Sequence, residues 1–149
     1  MKEKQIINDA LVTLYNQVLK VEEHAIAAGK FKDVTVNDMH IIEAVGLDKK
    51  NMSSIAKTLG ITVGSLTISM NGLVNKKYVE RERSESDRRV VYIKLTETGR
   101  KAYAQHKSFH DKMTDSIMSN LTKEETSVLI KALDSISAFF KEVEETPIR

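Results

Sequence analysis

Residues 51–95 read NMSSIAKTLGITVGSLTISMNGLVNKKYVERERSESDRRVVYIKL, and a change of period inside this stretch decides the fold. Asn51 can cap a short helix carrying Ile55, Ala56 and Leu59; Gly60 supplies a left-handed turn position, and Thr62 caps another helix to about Lys76. The small Ala56 and the Gly60-Ile61 turn suit two helices that cross at close range. From Tyr78 onward the period drops from 3.6 to 2. Tyr78 to Arg83 and Val90 to Leu95 therefore read as antiparallel strands joined by the polar tip Ser84-Glu85-Ser86-Asp87-Arg88-Arg89. Helix, tight turn, helix and basic-tipped hairpin, in that order, is the layout of a winged helix-turn-helix.

Working outward, residues 4–28 place Ile7, Leu11, Leu14, Val18 and Val21 at helical spacing before Gly29. Thr35 caps a helix to Val45, with Met39, Ile42 and Val45 inward and Gly46 ending it. Thr96 opens a helix from Glu97 to about Asn120. Thr122 and Glu125 form a capping-box signature for a last helix to about Glu145, whose apolar face is Leu129, Leu133, Ile136, Phe140 and Val143. The fold class is mainly α with a small β-hairpin. Residues 1–34 and 97–145 are expected to form a helical dimerisation region, 35–96 the winged-helix lobe and 146–149 a loose tail. A helix of about 24 residues is about 36 Å long, whereas a compact chain of this size is about 38 Å across. The long terminal helices are thus expected to pair with a second copy of the chain across a two-fold axis.

With 149 residues the chain suits one domain, and zero Cys excludes disulfides, thiolate catalysis and Cys-type zinc sites. No apolar run reaches the roughly 18 residues of a membrane span, and the N-terminus lacks a signal-peptide core, so a cytoplasmic protein is expected. Net charge is only +2, but residues 76–101 hold nine basic against five acidic side chains, a concentration that suits a polyanionic partner.

For a duplex partner, the helix opened by Thr62 would enter the major groove and present Val63, Gly64, Ser65, Thr67, Ile68 and Asn71, with Leu66, Met70, Leu73 and Val74 facing the core. Its N-terminal half carries no Arg, so apolar and hydroxyl contacts to A·T-rich sequence are expected. In the wing, Arg88 is the expected minor-groove probe, and Asp87 an internal partner that orients Arg89. Arg81, Arg83, Ser84 and Ser86 complete the wing surface, and Lys76 and Lys77 are expected phosphate contacts. A plain solvated hairpin with surface ion pairs is the competing reading.

The stretch Asp87-Arg88-Arg89 followed by Leu95-Thr96-Glu97-Thr98-Gly99, placed after a helix-turn-helix, resembles the wing and following helix of the MarR family of transcriptional regulators. The resemblance covers nearly the whole chain and implies a dimeric winged-helix repressor on a pseudo-palindromic DNA site. Lys77 stands where that family usually ends the recognition helix with Gly, and Ile68 where many members have Arg. Glu22-Glu23, Phe31-Lys32-Asp33 with Met39-His40, and His106-Lys107 with Phe109-His110 are similar to the subgroup that represses fatty-acid synthesis genes in Gram-positive bacteria. That likeness implies a long-chain acyl group on acyl carrier protein as co-repressor. Phe31, Met39, His40, Phe109, His110 and Met113 would then line its pocket, no cofactor being required. A filled core of Met and Phe is the plainer alternative.

His106 and His110, four apart on one helix, support a rival account in which His40 and Glu23, or His24 or Glu43, complete a zinc site like that of zinc-responsive MarR relatives. An enzyme is not expected, because the chain has no phosphate loop, no His-Glu-x-x-His and no nucleophile elbow. A helical protein-interaction adaptor that binds no DNA is a third class, separable by salt-dependent duplex binding.

Overall fold

The computed structural model describes residues 2–146, so Pro147, Ile148 and Arg149 of the expected tail lie outside the described residues. Its elements in chain order are α1 (Lys2–Ala28), α2 (Val36–Val45), β1 (Lys50–Asn51), α3 (Met52–Leu59), α4 (Val63–Asn75), β2 (Val79–Arg83), β3 (Val91–Leu95), α5 (Glu97–Met118) and α6 (Lys123–Glu145). The hairpin is widened by β1, giving an antiparallel sheet of order β1-β3-β2. The sequence reading missed β1, since two residues carry no period to read. Lys50 pairs with Ile93, and Asn51 with Tyr92.

The helix boundaries follow from their caps. Thr35 accepts from the Asp38 N–H while the Asp38 carboxylate accepts from the Thr35 N–H, a closed capping box, and Thr122 and Glu125 repeat it at α6. The Asn51 carboxamide accepts from the Ser54 N–H, and the Thr62 hydroxyl from the Ser65 N–H. Gly60 has φ 67° and ψ 30°, the left-handed conformation that a tight turn between crossing helices needs. After α4 the chain closes a Schellman motif, with Tyr78 N–H on the Leu73 carbonyl and Lys77 N–H on that of Val74, both at 3.0 Å. The left-handed residue of that motif is Lys77, at φ 65°.

Two compact units divide the chain after Phe109, inside α5. The physical reason is that α1 and the start of α5 contribute Ile26 and Ala102 to the lobe core, beside Ile42, Val45, Ile55, Leu66, Leu73 and Ile93. Gly99 belongs to this packing, because a Cβ there would overlap the Tyr78 carbonyl oxygen. Next to it the Thr96 hydroxyl accepts from the Gly99 N–H at 3.1 Å and donates to the Lys77 carbonyl at 2.7 Å. The Leu-Thr-x-x-Gly signature is thus the joint that fastens α5 to the end of the recognition helix. The second unit, residues 110–146, holds the end of α5 and all of α6. No helix among the described residues is long and apolar enough to cross a membrane.

Candidate nucleic-acid interface

Helix α4 presents the expected face. Leu66, Met70 and Leu73 are fully buried, whereas Val63, Gly64, Ser65, Thr67, Ile68 and Asn71 are exposed, Ile68 at 77%. A branched apolar side chain left so open on a helix otherwise packed by its period suits contact with thymine methyl groups. Two hydroxyls have local duties: Thr62 caps α4, and Thr67 donates to the Val63 carbonyl at 2.8 Å. Their oxygens keep acceptor capacity, so Ser65, whose hydroxyl accepts from Thr62 at 3.0 Å, is the hydroxyl donor on this face.

The wing sorts its charges by period 2. Across the β2–β3 ladder, Val79, Arg81 and Arg83 face Leu95, Ile93 and Val91, while Glu80 and Glu82 face Lys94 and Tyr92. The two arginines therefore share the side that meets α4, where Arg81 Nη2 donates to Asn71 Oδ1 at 2.5 Å. On the opposite side Lys49 and Lys94 each reach Glu82 at 2.8 Å, and Lys94 reaches Glu80 at 3.3 Å. Hydrogen bonds from Lys49 and Lys94 hold the Glu82 carboxyl down at about 2. Glu80 and Glu82, which dilute the basic count of residues 76–101, are thus paired away from α4.

At the tip, Asp87 Oδ1 accepts from the Arg89 backbone N–H at 3.0 Å and from Arg89 Nε at 3.2 Å. Asp87 is the internal partner expected from the sequence. Ser84 N–H bonds the Val90 carbonyl and Val90 N–H bonds that of Asp87, so the turn is closed by its own backbone. Arg88 lines an open recess with Arg83, Ser84 and Glu85, and Ser84 and Ser86 share a 3.0 Å hydrogen bond.

Lys76 has a partner that the sequence reading did not foresee: its ammonium donates to Asp38 at 2.8 Å. Burial pushes the Asp38 carboxyl up, and hydrogen bonds from Lys76 and Thr35 outweigh this and hold it below the usual carboxylate range. Asp38 thereby ties the start of α2 to the cap of α4. Lys77 is exposed, as a phosphate contact requires.

The expected effector residues occupy several different environments. Met39 is core, and Phe31 sets its ring edge-on to Tyr78 at 6.0 Å. Met39 and Phe109 border a void of about 40 Å³ with Ala25, Ile26, Gln105 and His106, room for about one water and not for an acyl chain. The roomier recess, about 450 Å³, lies between α1 and the start of α2 and is lined by Glu23, Ile26, Ala27, Lys32, Val34 and Val36, with none of the six expected residues. His110 and Met113, both half-buried, belong to the second unit. Among the carboxylates, Glu22 and not Glu23 sits with the histidines: adjacent residues on a helix point about 100° apart, and α1 turns Glu22 inward, 4% exposed. Its Oε1 lies 3.4 Å from His40 Nε2 and 3.8 Å from Nε2 of the buried His106, which also stands 3.7 Å from Glu43 Oε2.

Residues 29–105 match the family model described as transcriptional regulator SarA/Rot. The crystal structure of Streptococcus pneumoniae FabT in complex with DNA superposes with a TM-score of 0.89 at 38% identity, covering 94% of this chain and 99% of that one. The chain belongs to the MarR/SarA family of winged-helix transcriptional regulators. The HTH-type regulator YpoP of Bacillus subtilis (strain 168) is 30% identical over 104 residues, 69% of this chain and 72% of that protein. YhjH of the same organism is 26% identical over 92 residues, 61% of this chain, and the match spans 53% of its length. These family members are regulators and not enzymes. Within the family Lys77 is a departure in residue but not in backbone, since it adopts the left-handed conformation for which glycine is the usual choice.

Proposed function

We propose that this regulator binds a pseudo-palindromic, A·T-rich operator as a homodimer and represses fatty-acid synthesis genes in the cytoplasm, with long-chain acyl-acyl carrier protein as co-repressor. The observation that carries this reading is the near-complete likeness to a DNA-bound FabT, joined to an arginine-bearing wing beside an α4 whose outer face is apolar and hydroxylated. Helix α4 enters the major groove, Val63 and Ile68 meet thymine methyls, and Ser65 and Lys77 hold backbone phosphates. Arg88 enters the neighbouring minor groove, where A·T-rich sequence deepens the negative potential. Exposed apolar residues on α1 and α6, among them Leu14, Tyr15, Leu133 and Phe140, support pairing of two chains, which sets two copies of α4 about one DNA turn, roughly 34 Å, apart. The recess beside Val34 and Val36 has a volume within the range of about 300 to 1,000 Å³ typical of ligand pockets, which makes it the better candidate for an acyl chain.

Binding of the purified protein to duplexes from its own promoter, across a salt series, tests the reading. A steep loss of affinity with salt is expected, together with tightening by acylated carrier protein and a loss of about tenfold or more in Arg88→Ala. Binding indifferent to salt would leave the protein-interaction adaptor, and no response to acylated carrier protein would remove the lipid role.

Zinc sensing is a second reading favoured by one observation, the buried Glu22 carboxylate between two imidazoles. Tetrahedral zinc with bonds of about 2.0 Å spaces its ligands by about 3.3 Å, close to the Glu22–His40 and Glu22–His106 separations. Glu22 and His106 would hold the ion, and His110 follows His106 by one turn on α5. Tightening of DNA binding by zinc, reversed by chelator, with no effect of acylated carrier protein, selects this reading.

A further inference from the structure

Asn71 and Arg81 belong to different elements, α4 and β2, and meet through the 2.5 Å hydrogen bond from Arg81 Nη2 to Asn71 Oδ1. Chemistry fixes the orientation of the amide. A guanidinium has five N–H donors and no acceptor, so only the amide oxygen can face it, and the amino group is left for whatever approaches α4. Arg81 is itself held in place, opposite Ile93 in the ladder and on the strand face shared with Val79. Both side chains are exposed.

We infer that Asn71 and Arg81 act as one composite reader, with N–H donors foremost, that selects guanine over adenine at one position of each half-site. An asparagine reads adenine by using both ends of its amide, accepting from N6 and donating to N7. Here one of the two lone pairs of the accepting oxygen already holds a cationic donor, whose charge weakens the second as a partner for the adenine amino group. Guanine presents two acceptors, N7 and O6, which match the Asn71 amino group and a remaining N–H of Arg81. The pair thus writes one G·C position into a site that Val63 and Ile68 otherwise bias towards A·T. Thymine offers one major-groove acceptor, O4, in place of two, and a backbone phosphate, also acceptor-only, carries no base preference.

The inference rests on α4 being the helix that enters the groove, and selection from randomised duplexes by wild type, Asn71→Ala and Arg81→Gln separates the two ideas. Wild type is expected to require guanine at one position per half-site, and Asn71→Ala to lose that requirement while keeping all others. Arg81→Gln, which frees the amide oxygen, is expected to shift the guanine-to-adenine ratio at that position by about tenfold towards adenine. Thermal midpoints of both variants are expected to stay at the wild-type value. Adenine at the Asn71-sensitive position, or unchanged preferences in Arg81→Gln, overturns the inference. A uniform loss of affinity in Asn71→Ala with no change of preference assigns the pair to a phosphate and also overturns it. Failure of wild type to select any duplex removes the groove reading of α4 and this inference with it.

Discussion

The lobe built from α2, α3 and α4 and the helix α6 are both rich in aliphatic side chains, yet they treat them oppositely. Ile42, Val45, Ile55, Leu66, Met70 and Leu73 are fully enclosed within a single chain, while α6 buries none of its residues and leaves Phe139 and Phe140 about half exposed. The difference separates two kinds of apolar surface: one already consumed by folding, the other open in the single chain, as the proposed pairing of two copies requires. A change to the first should register as stability. In the second it should register as assembly and, through assembly, as operator affinity.

The sharpest way to break the lobe is Gly99→Ala, whose new methyl group would collide with the Tyr78 backbone; a destabilisation of about 3 kcal/mol is expected in chemical denaturation. Leu133→Glu probes the other region. It should leave the unfolding midpoint at high dilution unchanged, convert dimer to monomer in sedimentation, and weaken operator binding by about 100-fold through lost bivalency. An unchanged sedimentation coefficient would show that α6 holds its apolar face in reserve for something other than a second copy.

Lys77→Gly sharpens the contrast from within the lobe, because it relieves a left-handed backbone at a lysine; a gain of about 0.5 to 1 kcal/mol is expected, set against weaker DNA binding from the lost charge. The smallest effect concerns the wing. Since Glu82 is held near 2 from an ordinary 4.5, its ion pairs add stability above pH 4.5 that fades as pH falls through about 2. The difference in thermal midpoint between wild type and Glu82→Gln should therefore be present at neutral pH and vanish in strong acid.

Local signals made most of the fold legible. Thr35, Asn51, Thr62 and Thr122 cap the helices they were expected to cap, and Gly60 turns where a left-handed residue was required. What stayed hidden depends on partners distant in the chain. Lys76 looks like a phosphate ligand until Asp38, 38 residues earlier, is folded against it. Glu22 and Glu23 are indistinguishable by composition, and a rotation of about 100° along α1 decides which is buried. Met39 and Phe31 look alike in the sequence, and only the fold distinguishes Met39, enclosed in the core, from Phe31, half-buried and edge-on to Tyr78.

One small element has a large mechanical consequence. Asn51 is at once the end of β1, paired with Tyr92 of the wing, and the cap of α3. The hairpin is therefore bolted to the helix pair midway along β3, while residues 84–90 close on themselves beyond it. Reach and aim of the arginine-bearing tip are set by separate joints, so a longer tip would extend the hairpin without redirecting it.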